Sequence, residues 1–360
     1  MYIGVALSGG LDSFSSLMRL KEARHTVIAL HGLFFDKEES LLEDEIRKIR
    51  ESLDRMAIPL EIVDGRDAFR RHVLDPFFAA FYRGETPNPC ALCNRRIKFG
   101  MLLEHAKSLG ADAFATGHYA CLEREYDHIM LSKAMDLTKD QSYFLSLVQP
   151  DALPHILFPL SQTTKDACRL EAQKKGLAIP NPVESQDICF LPRDTPLPSF
   201  LMAHWEKEGR AKPEEGPIFL STPAYREVGV HKGLFRYTEG QRRGLGISYE
   251  EGLYVLKKDI EKNALIIGPK RFLGMIGLEA QCLSLFIPKE YFPKKTWVKV
   301  RFRQKPYAAD VTLEDSRLCI RFSEPVFPSA CGQLASVMDE KGRILCGGII
   351  DKIVYPEKSA

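Results

Sequence analysis

The chain has 360 residues, 45% of them hydrophobic and 27% charged, with a formal net charge of +2. That length is too great for one typical core and predicts two or three domains, while the composition is that of a soluble globular protein. The net charge argues neither for nor against a polyanionic partner, so only the local distribution of charge is informative. Met1–Leu7 has no basic region ahead of a long apolar stretch, and no apolar run approaches the roughly 18 residues that span a bilayer. Neither a signal peptide nor a membrane partner is expected, and a cytoplasmic location is. Nine cysteines, an odd number at uneven spacing, read as reduced thiols rather than a disulfide framework.

The first part alternates short apolar runs with helical spacing. Ile3–Leu7, Val27–Leu30, Leu60–Val63 and Ala113–Thr116 predict buried parallel strands. Leu11–Ala23, Leu42–Met56 and Ile97–Leu109 predict helices, the first with Phe14, Leu17, Met18 and Leu20 on one face. This alternation predicts an α/β domain with a doubly wound parallel sheet, whose ligands bind beyond the C-terminal ends of the strands. Residues 191–217 are rich in proline and charge, with one short helix near Phe200–Lys207, and read as a connection. From Ile218 the pattern turns to short strands: Tyr254–Lys257 and Ala264–Ile267 about a polar turn, then Trp297–Arg303, Ala309–Leu313, Leu318–Phe322 and Ile344–Ile350. This predicts an all-β half of two small barrel-like modules that split near Gly274–Leu278. The expected domains are residues 1–200, a small central β-rich unit at 201–275 and a C-terminal β-barrel at 276–360.

Ser8-Gly9-Gly10-Leu11-Asp12-Ser13 lies between the first strand and the first helix, where backbone N–H groups and the helix dipole hold phosphate. Adjacent glycines admit a close anion, Ser8 and Ser13 offer hydroxyls, and Asp12 suits magnesium or a helix cap. The segment lacks the lysine of a Gly-x-x-x-x-Gly-Lys-Ser/Thr loop. Cys90-Ala91-Leu92-Cys93 stands just before a helix, and the helix start together with Arg95, Arg96 and Lys98 predicts lowered thiol pKa values. Alone, this pair fits half a zinc site, a redox pair or a cluster site. Ser185–Phe190 adds Cys189 in a loop-like setting. Cys121, Cys168, Cys282, Cys319, Cys331 and Cys346 read as packing residues. In Trp297–Arg303, alternation puts Val298, Val300 and Phe302 on one face and Lys299, Arg301 and Arg303 on the other, beside Lys294, Lys295 and Lys305. That density suits a solvated edge or a phosphate backbone.

Ser8–Ser13 resembles the PP-loop of N-type ATP pyrophosphatases, Ser-Gly-Gly-x-Asp-Ser. It is followed in order by Thr86–Phe99, Ala115–Ala120, Lys139–Phe144, Glu184–Phe190, His231–Gly233, Tyr237–Gly246, Trp297–Gln304 and Gly332-Gln333. In this set the chain resembles the tRNA-specific 2-thiouridylases over nearly its whole length. The resemblance implies an α/β adenylation domain, a small central domain and a C-terminal β-barrel. It implies that ATP, with Mg2+, adenylates the position-2 oxygen of the wobble uridine in the anticodon stem-loop of tRNA, releasing pyrophosphate and then AMP. A cysteine persulfide delivers the sulfur that makes 2-thiouridine, and a cysteine desulfurase or sulfur-relay protein is the implied donor. By motif, Cys189 carries the persulfide and Cys93 is its catalytic partner through a transient disulfide. Ala6, Leu7, Ser8, Gly9, Gly10, Leu11, Asp12, Ser13, Gly32 and Gly117 match ATP-contacting positions. Asn88 and Pro89 match the seat of the target base, and His118, Lys139, Asp140, Gln141, Arg301, Phe302 and Gln333 match tRNA contacts. Base flipping is expected, because the reacting atom must leave the anticodon stack. Many relatives carry an aspartate, read as a general acid/base, where this chain has Cys90. The thiol leaves that proton transfer unassigned, or joins Cys93 and Cys189 as the third ligand of an iron–sulfur cluster. The alternatives are another PP-loop tRNA enzyme, such as a cytidine thiolase or a lysidine synthetase, and a non-catalytic RNA-binding iron–sulfur or zinc redox sensor. The β-rich C-terminal half and Ser185–Phe190 argue against the first.

Overall fold

The computed structural model describes residues 1–36, 38–125, 127–176, 179–180, 188–221 and 225–356. Five parallel strands form the first sheet in the spatial order Leu60–Asp64, Thr26–Leu33, Tyr2–Ala6, Ala113–Ala115, Ile156–Leu157. The strands are apolar runs because helices cover both faces. Ile3, Val5 and Ala29 pack with Phe14, Leu17, Ile49 and Leu53 on one side. Leu30 and Phe114 pack with Phe99, Leu102 and Ala106 on the other. Chain order reverses between Tyr2–Ala6 and Ala113–Ala115, and at such a switch point a crevice opens beyond the strand ends.

The helix that carries the paired cysteines starts at Pro89, well before the expected Ile97. The Asn88 side chain accepts from the Ala91 N–H at 3.3 Å, and Pro89 occupies the first turn, where its missing N–H costs nothing. The rod continues to Ser108, but Asn94–Leu102 is π-helical. A π turn bonds i to i+5 and so stacks residues five apart, which an α-helix of 3.6 residues per turn would put on different faces.

Three further elements lie where no element was expected: the helical stretch Arg66–Tyr82, the hairpin Cys121–Ser132 and the helix Lys165–Lys174. The first builds an aromatic core with the helix Leu197–Lys207. Phe77, Phe81, Trp205 and Phe235 are nearly inaccessible there, with Trp205 edge-on to Phe235 at 5.0 Å. Leu197–Lys207 therefore packs with the first domain and straddles the expected boundary at residue 200.

Among the described residues the central unit is a four-stranded sheet in the order Leu253–Asp259, Ala264–Pro269, Gly216–Leu220, Arg226–His231, with one parallel pairing. Met275–Leu285 opens a closed six-stranded barrel that ends with Ile344–Val354. One core runs from the parallel sheet into this barrel, joining Phe114 and Leu145 to Val298, Val337 and Ile344.

All three units meet on Thr86–Pro87. The Thr86 N–H donates to Cys331 O at 2.8 Å, and Gln333 Nε2 donates to Thr86 O at 2.8 Å. Lys258 Nζ, from the central unit, reaches Thr86 Oγ1 at 3.2 Å. Gly332 holds φ +90, and a Cβ there would lie 3.1 Å from Pro87 Cα. Gly332→Ala is therefore expected to lower unfolding stability by about 1–3 kcal/mol. A urea midpoint equal to wild type would show that barrel and segment part without cost.

Candidate active site

The sheet's switch point carries the phosphate loop. Gly9 turns at φ +78, and the Ser13 hydroxyl donates to Gly10 O at 2.9 Å while accepting from the Ser8 N–H at 3.3 Å. Ser13 thus folds the loop internally, and the free N–H groups of the first turn of Leu11–Glu22 face the crevice. Gly117, on the loop after Ala113–Ala115, backs this turn. A Cβ there would fall 2.8 Å from Asp12 C and Ser13 N, so only glycine lets the two loops touch. Gly32 ends the neighbouring strand with the Phe34 ring packed on the position a side chain would take.

Asp12 does not cap its helix, whose start has no side-chain cap. Both of its carboxylate oxygens lie 2.6 Å from Lys165 Nζ, and the Tyr119 hydroxyl donates to one of them at 3.0 Å. Lys165 is only 6% exposed. It opens the helix Lys165–Lys174, which Thr164 caps by accepting from the Ala167 N–H. A cation at a helix N-terminus is unfavourable by itself. Paired with Asp12 it is tolerated, and with an anionic ligand it would reinforce the helix. Mg2+ is held through one or two carboxylates together with substrate phosphate oxygens and water, and Asp12 is the carboxylate at this loop.

The thiols lie on the far side of the Thr116–His118 loop. Phe190 anchors the turn that bears Cys189, standing edge-on to Phe77 at 5.0 Å and to Phe69 at 5.8 Å in the core that also holds Cys93. Residues 184–187 of the expected motif lie outside the described residues. Cys90 and Cys189 are exposed, Cys93 is buried, and no disulfide joins any of the nine cysteines. The expected lowering of the thiols is reversed. Desolvation outweighs nearby charge, raises Cys90 although solvent reaches it, and pushes Cys93 up to about 12. At neutral pH such a thiol is held in its protonated form. Of the three basic residues expected to help, Arg95 donates instead to Leu147 O at 2.6 Å and Ser284 Oγ at 2.8 Å, and Arg96 points to solvent. Lys98 alone of the three acts on both thiols.

The three cysteines interact electrostatically. Among the described residues, no three His, Cys, Asp or Glu side chains converge to hold a metal.

Several residues expected against tRNA work inside the protein. His118 is buried, with Nδ1 2.7 Å from Thr116 Oγ1 and Nε2 3.3 Å from Lys98 Nζ. Asp140 accepts from the Ala134 N–H and the Ser142 hydroxyl, and Gln141 accepts from the Tyr119 N–H at 3.0 Å. Lys139 is half-buried beside them. The expected strand from Trp297 stops at Lys299. Arg301 turns inward to donate to Glu239 O at 2.6 Å, Phe302 stacks on Phe144 at 4.5 Å, and Arg303 with Lys294, Lys295 and Lys305 stays exposed. Sequence reasoning missed Lys165 and the buried pair Lys258–Glu239, 3.6 Å apart. Lysine is so commonly a surface residue that nothing in the sequence marked either.

The family model described as the tRNA methyl transferase HUP domain matches residues 1–193, and that of the tRNA methyl transferase PRC-barrel domain matches residues 208–269. The chain is 43% identical over 352 residues to the tRNA-specific 2-thiouridylase MnmA of Nitratidesulfovibrio vulgaris (strain Hildenborough), covering 97% of this chain and 99% of that protein. It is 40% identical over 362 residues to the tRNA-specific 2-thiouridylase MnmA of Oleidesulfovibrio alaskensis (strain G20), covering 98% and 100%. A solved structure, the U34-tRNA thiolase NcsA from Methanococcus maripaludis with its 4Fe-4S cluster, is 18% identical with a TM-score of 0.35, over 58% of this chain and 67% of that one. So distant a likeness brings neither its fold nor its cluster to this chain.

The Asp12–Lys165 contact predicts a measurable coupling. A double-mutant cycle of Asp12→Asn and Lys165→Met in urea unfolding is expected to give about 1–3 kcal/mol. A coupling indistinguishable from zero would mean that solvent already screens the pair.

Proposed function

Because the chain belongs to the tRNA-specific 2-thiouridylase family, we propose that it adenylates the position-2 oxygen of the wobble uridine with ATP and replaces it with sulfur from a cysteine persulfide. The observation that carries this reading is the Thr116–His118 loop. Its Gly117 lies against the phosphate loop and its His118 against the helix that bears Cys90 and Cys93. Nucleotide chemistry and sulfur chemistry would thus meet across one short wall.

The phosphates of ATP would sit on the N–H groups at the start of Leu11–Glu22. Lys165 is poised to exchange Asp12 for a phosphate oxygen. Asp12, so released, would hold Mg2+, which when bound neutralises charge on the departing pyrophosphate. Adenylation converts an unreactive carbonyl oxygen into AMP, a good leaving group. Asn88 and Pro89 border Cys90 at the helix start, where the flipped base would be presented. Exposure divides the thiols by task. Cys189 is accessible and suits receipt of sulfur from a cysteine desulfurase or relay protein, whereas buried Cys93 suits an internal second step through a transient disulfide. Among the described residues no helix is long and apolar enough to cross a membrane.

Cys93→Ser and Cys189→Ser are each expected to abolish 2-thiouridine, read by nucleoside mass spectrometry, while tRNA-dependent pyrophosphate release from the adenylation step persists. Wild-type protein that releases no AMP with tRNA and ATP would overturn the adenylation reading.

The outward basic residues would meet the tRNA backbone. Arg303→Ala is expected to flatten the log–log salt dependence of tRNA binding by about 0.7–0.9. Arg301→Ala should weaken binding without that change in slope, because its guanidinium already serves Glu239. Equal slopes for wild type and Arg303→Ala would place the tRNA elsewhere.

A further inference from the structure

We propose that Lys98 is the charge that stabilises the Cys93 thiolate during sulfur transfer, and that His118 and Thr116 are the positioning residues that hold Lys98 there. The proposal rests on the thiouridylase reading above and assigns residues to its second step.

Three observations converge. The first is helical winding. Lys98 follows Cys93 by five residues in the π-helical stretch Asn94–Leu102, so the two lie on neighbouring azimuths rather than on different faces of the rod. The second is how the ammonium group is fixed. Lys98 Nζ is 3.3 Å from His118 Nε2. Burial holds His118 well below its ordinary pKa, so the ring is neutral. A lysine ammonium only donates, so Nε2 accepts and the ring proton resides on Nδ1. That N–H donates to Thr116 Oγ1 at 2.7 Å. The ring is thereby locked by a residue at the end of the parallel sheet, and the lysine is locked by the ring. The third is the lack of competition, since the other two basic residues of this stretch are directed elsewhere, Arg95 to the barrel and Arg96 to solvent.

The need for such a charge follows from burial, which leaves Cys93 protonated at neutral pH. With persulfide loaded on Cys189, the step balances as Cys93–SH plus Cys189–S–S⁻ giving Cys93–S–S–Cys189 plus HS⁻. The bond between Cys189 Sγ and the sulfane sulfur breaks, and a bond between the two cysteine sulfurs forms. The Cys93 sulfur is oxidised to the disulfide level, Cys189 Sγ keeps the oxidation state it had in the persulfide, the sulfane sulfur is reduced to hydrosulfide, and the Cys93 proton leaves on it. The hydrosulfide then displaces AMP from the adenylated base. Negative charge develops on Cys93 before the bond forms, and a fixed ammonium in a water-poor site stabilises it there.

The test compares Lys98→Met, Lys98→Arg, His118→Leu and His118→Gln in the full chain, with tRNA, ATP and protein persulfidated beforehand. Pyrophosphate release and 2-thiouridine are followed in one turnover. Lys98→Met should slow 2-thiouridine formation about 10²-fold with pyrophosphate release unchanged, and Lys98→Arg, which keeps the charge, should recover most of it. His118→Leu should behave as Lys98→Met, and His118→Gln, whose amide oxygen still accepts from Lys98, should be rescued. Should either apolar variant fail to fold, the conservative pair decides, because both must thiolate faster than any neutral substitution at Lys98. A Lys98→Met protein that thiolates at the wild-type rate overturns the proposal, as does one that loses pyrophosphate release in parallel. Wild-type protein that makes no 2-thiouridine defeats the thiouridylase reading instead.

Discussion

The placement of the reactive helix depends on one buried contact, that of Lys258 and Glu239 with Thr86. Both charges are almost wholly removed from water. Taking each ion out of water costs several kcal/mol, recovered only where the remaining donors and acceptors find partners. Here Lys258 Nζ finds the Thr86 hydroxyl, whereas among the described residues Glu239 Oε2 makes no hydrogen bond and has only the lysine 3.6 Å away, Arg301 donating to the Glu239 backbone carbonyl instead. Losing one charge would strand the other, at about 3–5 kcal/mol. Thr86 lies two residues before the Asn88 cap, so the central sheet and the barrel jointly set the point from which the helix of Cys90 and Cys93 departs.

The phosphate loop and the thiols form two half-sites with opposite electrostatic characters. At the phosphate loop, donors are abundant and the one carboxylate is matched by Lys165. Around Cys93 the surroundings are aromatic and dry, and a single lysine supplies charge. The loop from Thr116 to His118 runs between them, with Gly117 against the phosphate loop and His118 against Lys98 of the cysteine-bearing helix. A hydrated nucleotide and an unhydrated sulfur nucleophile can then occupy neighbouring spaces without sharing a dielectric environment.

The parallel strands were legible because burial on both faces writes itself as unbroken apolar runs, and Ser8–Ser13 because loop, glycines and helix follow in one stretch. Arg66–Tyr82 was not legible, although Phe69, Val73, Phe77 and Phe81 repeat every four residues. Pro76 sits within that repeat and argues against a helix, and the π turn Arg70–Leu74 ahead of it resolves the conflict. Barrel closure was legible for residues 276–360, and the central unit matches a PRC-barrel family model while its described strands pair as a four-stranded sheet; strand patterning alone does not state which edges meet. The thiol shifts were misread for a related reason. The sequence displays Arg95, Arg96 and Lys98 as equals, and only the winding of the helix and the depth of Cys93 reveal that one charge faces the sulfur and that burial outweighs it.

Three of the contacts between units share a form. Arg301 donates to Glu239 O, Gln333 to Thr86 O and Tyr143 to Leu334 O, each a side chain on one unit addressing a peptide carbonyl on another. Every amino acid brings that carbonyl with it. At these three contacts the receiving positions are free to drift in identity while the joint persists, and the donating positions are not. Coupled substitution has no purchase there and mutational sensitivity should be one-sided, in contrast to the side-chain pairs Lys258–Thr86 and Arg95–Ser284.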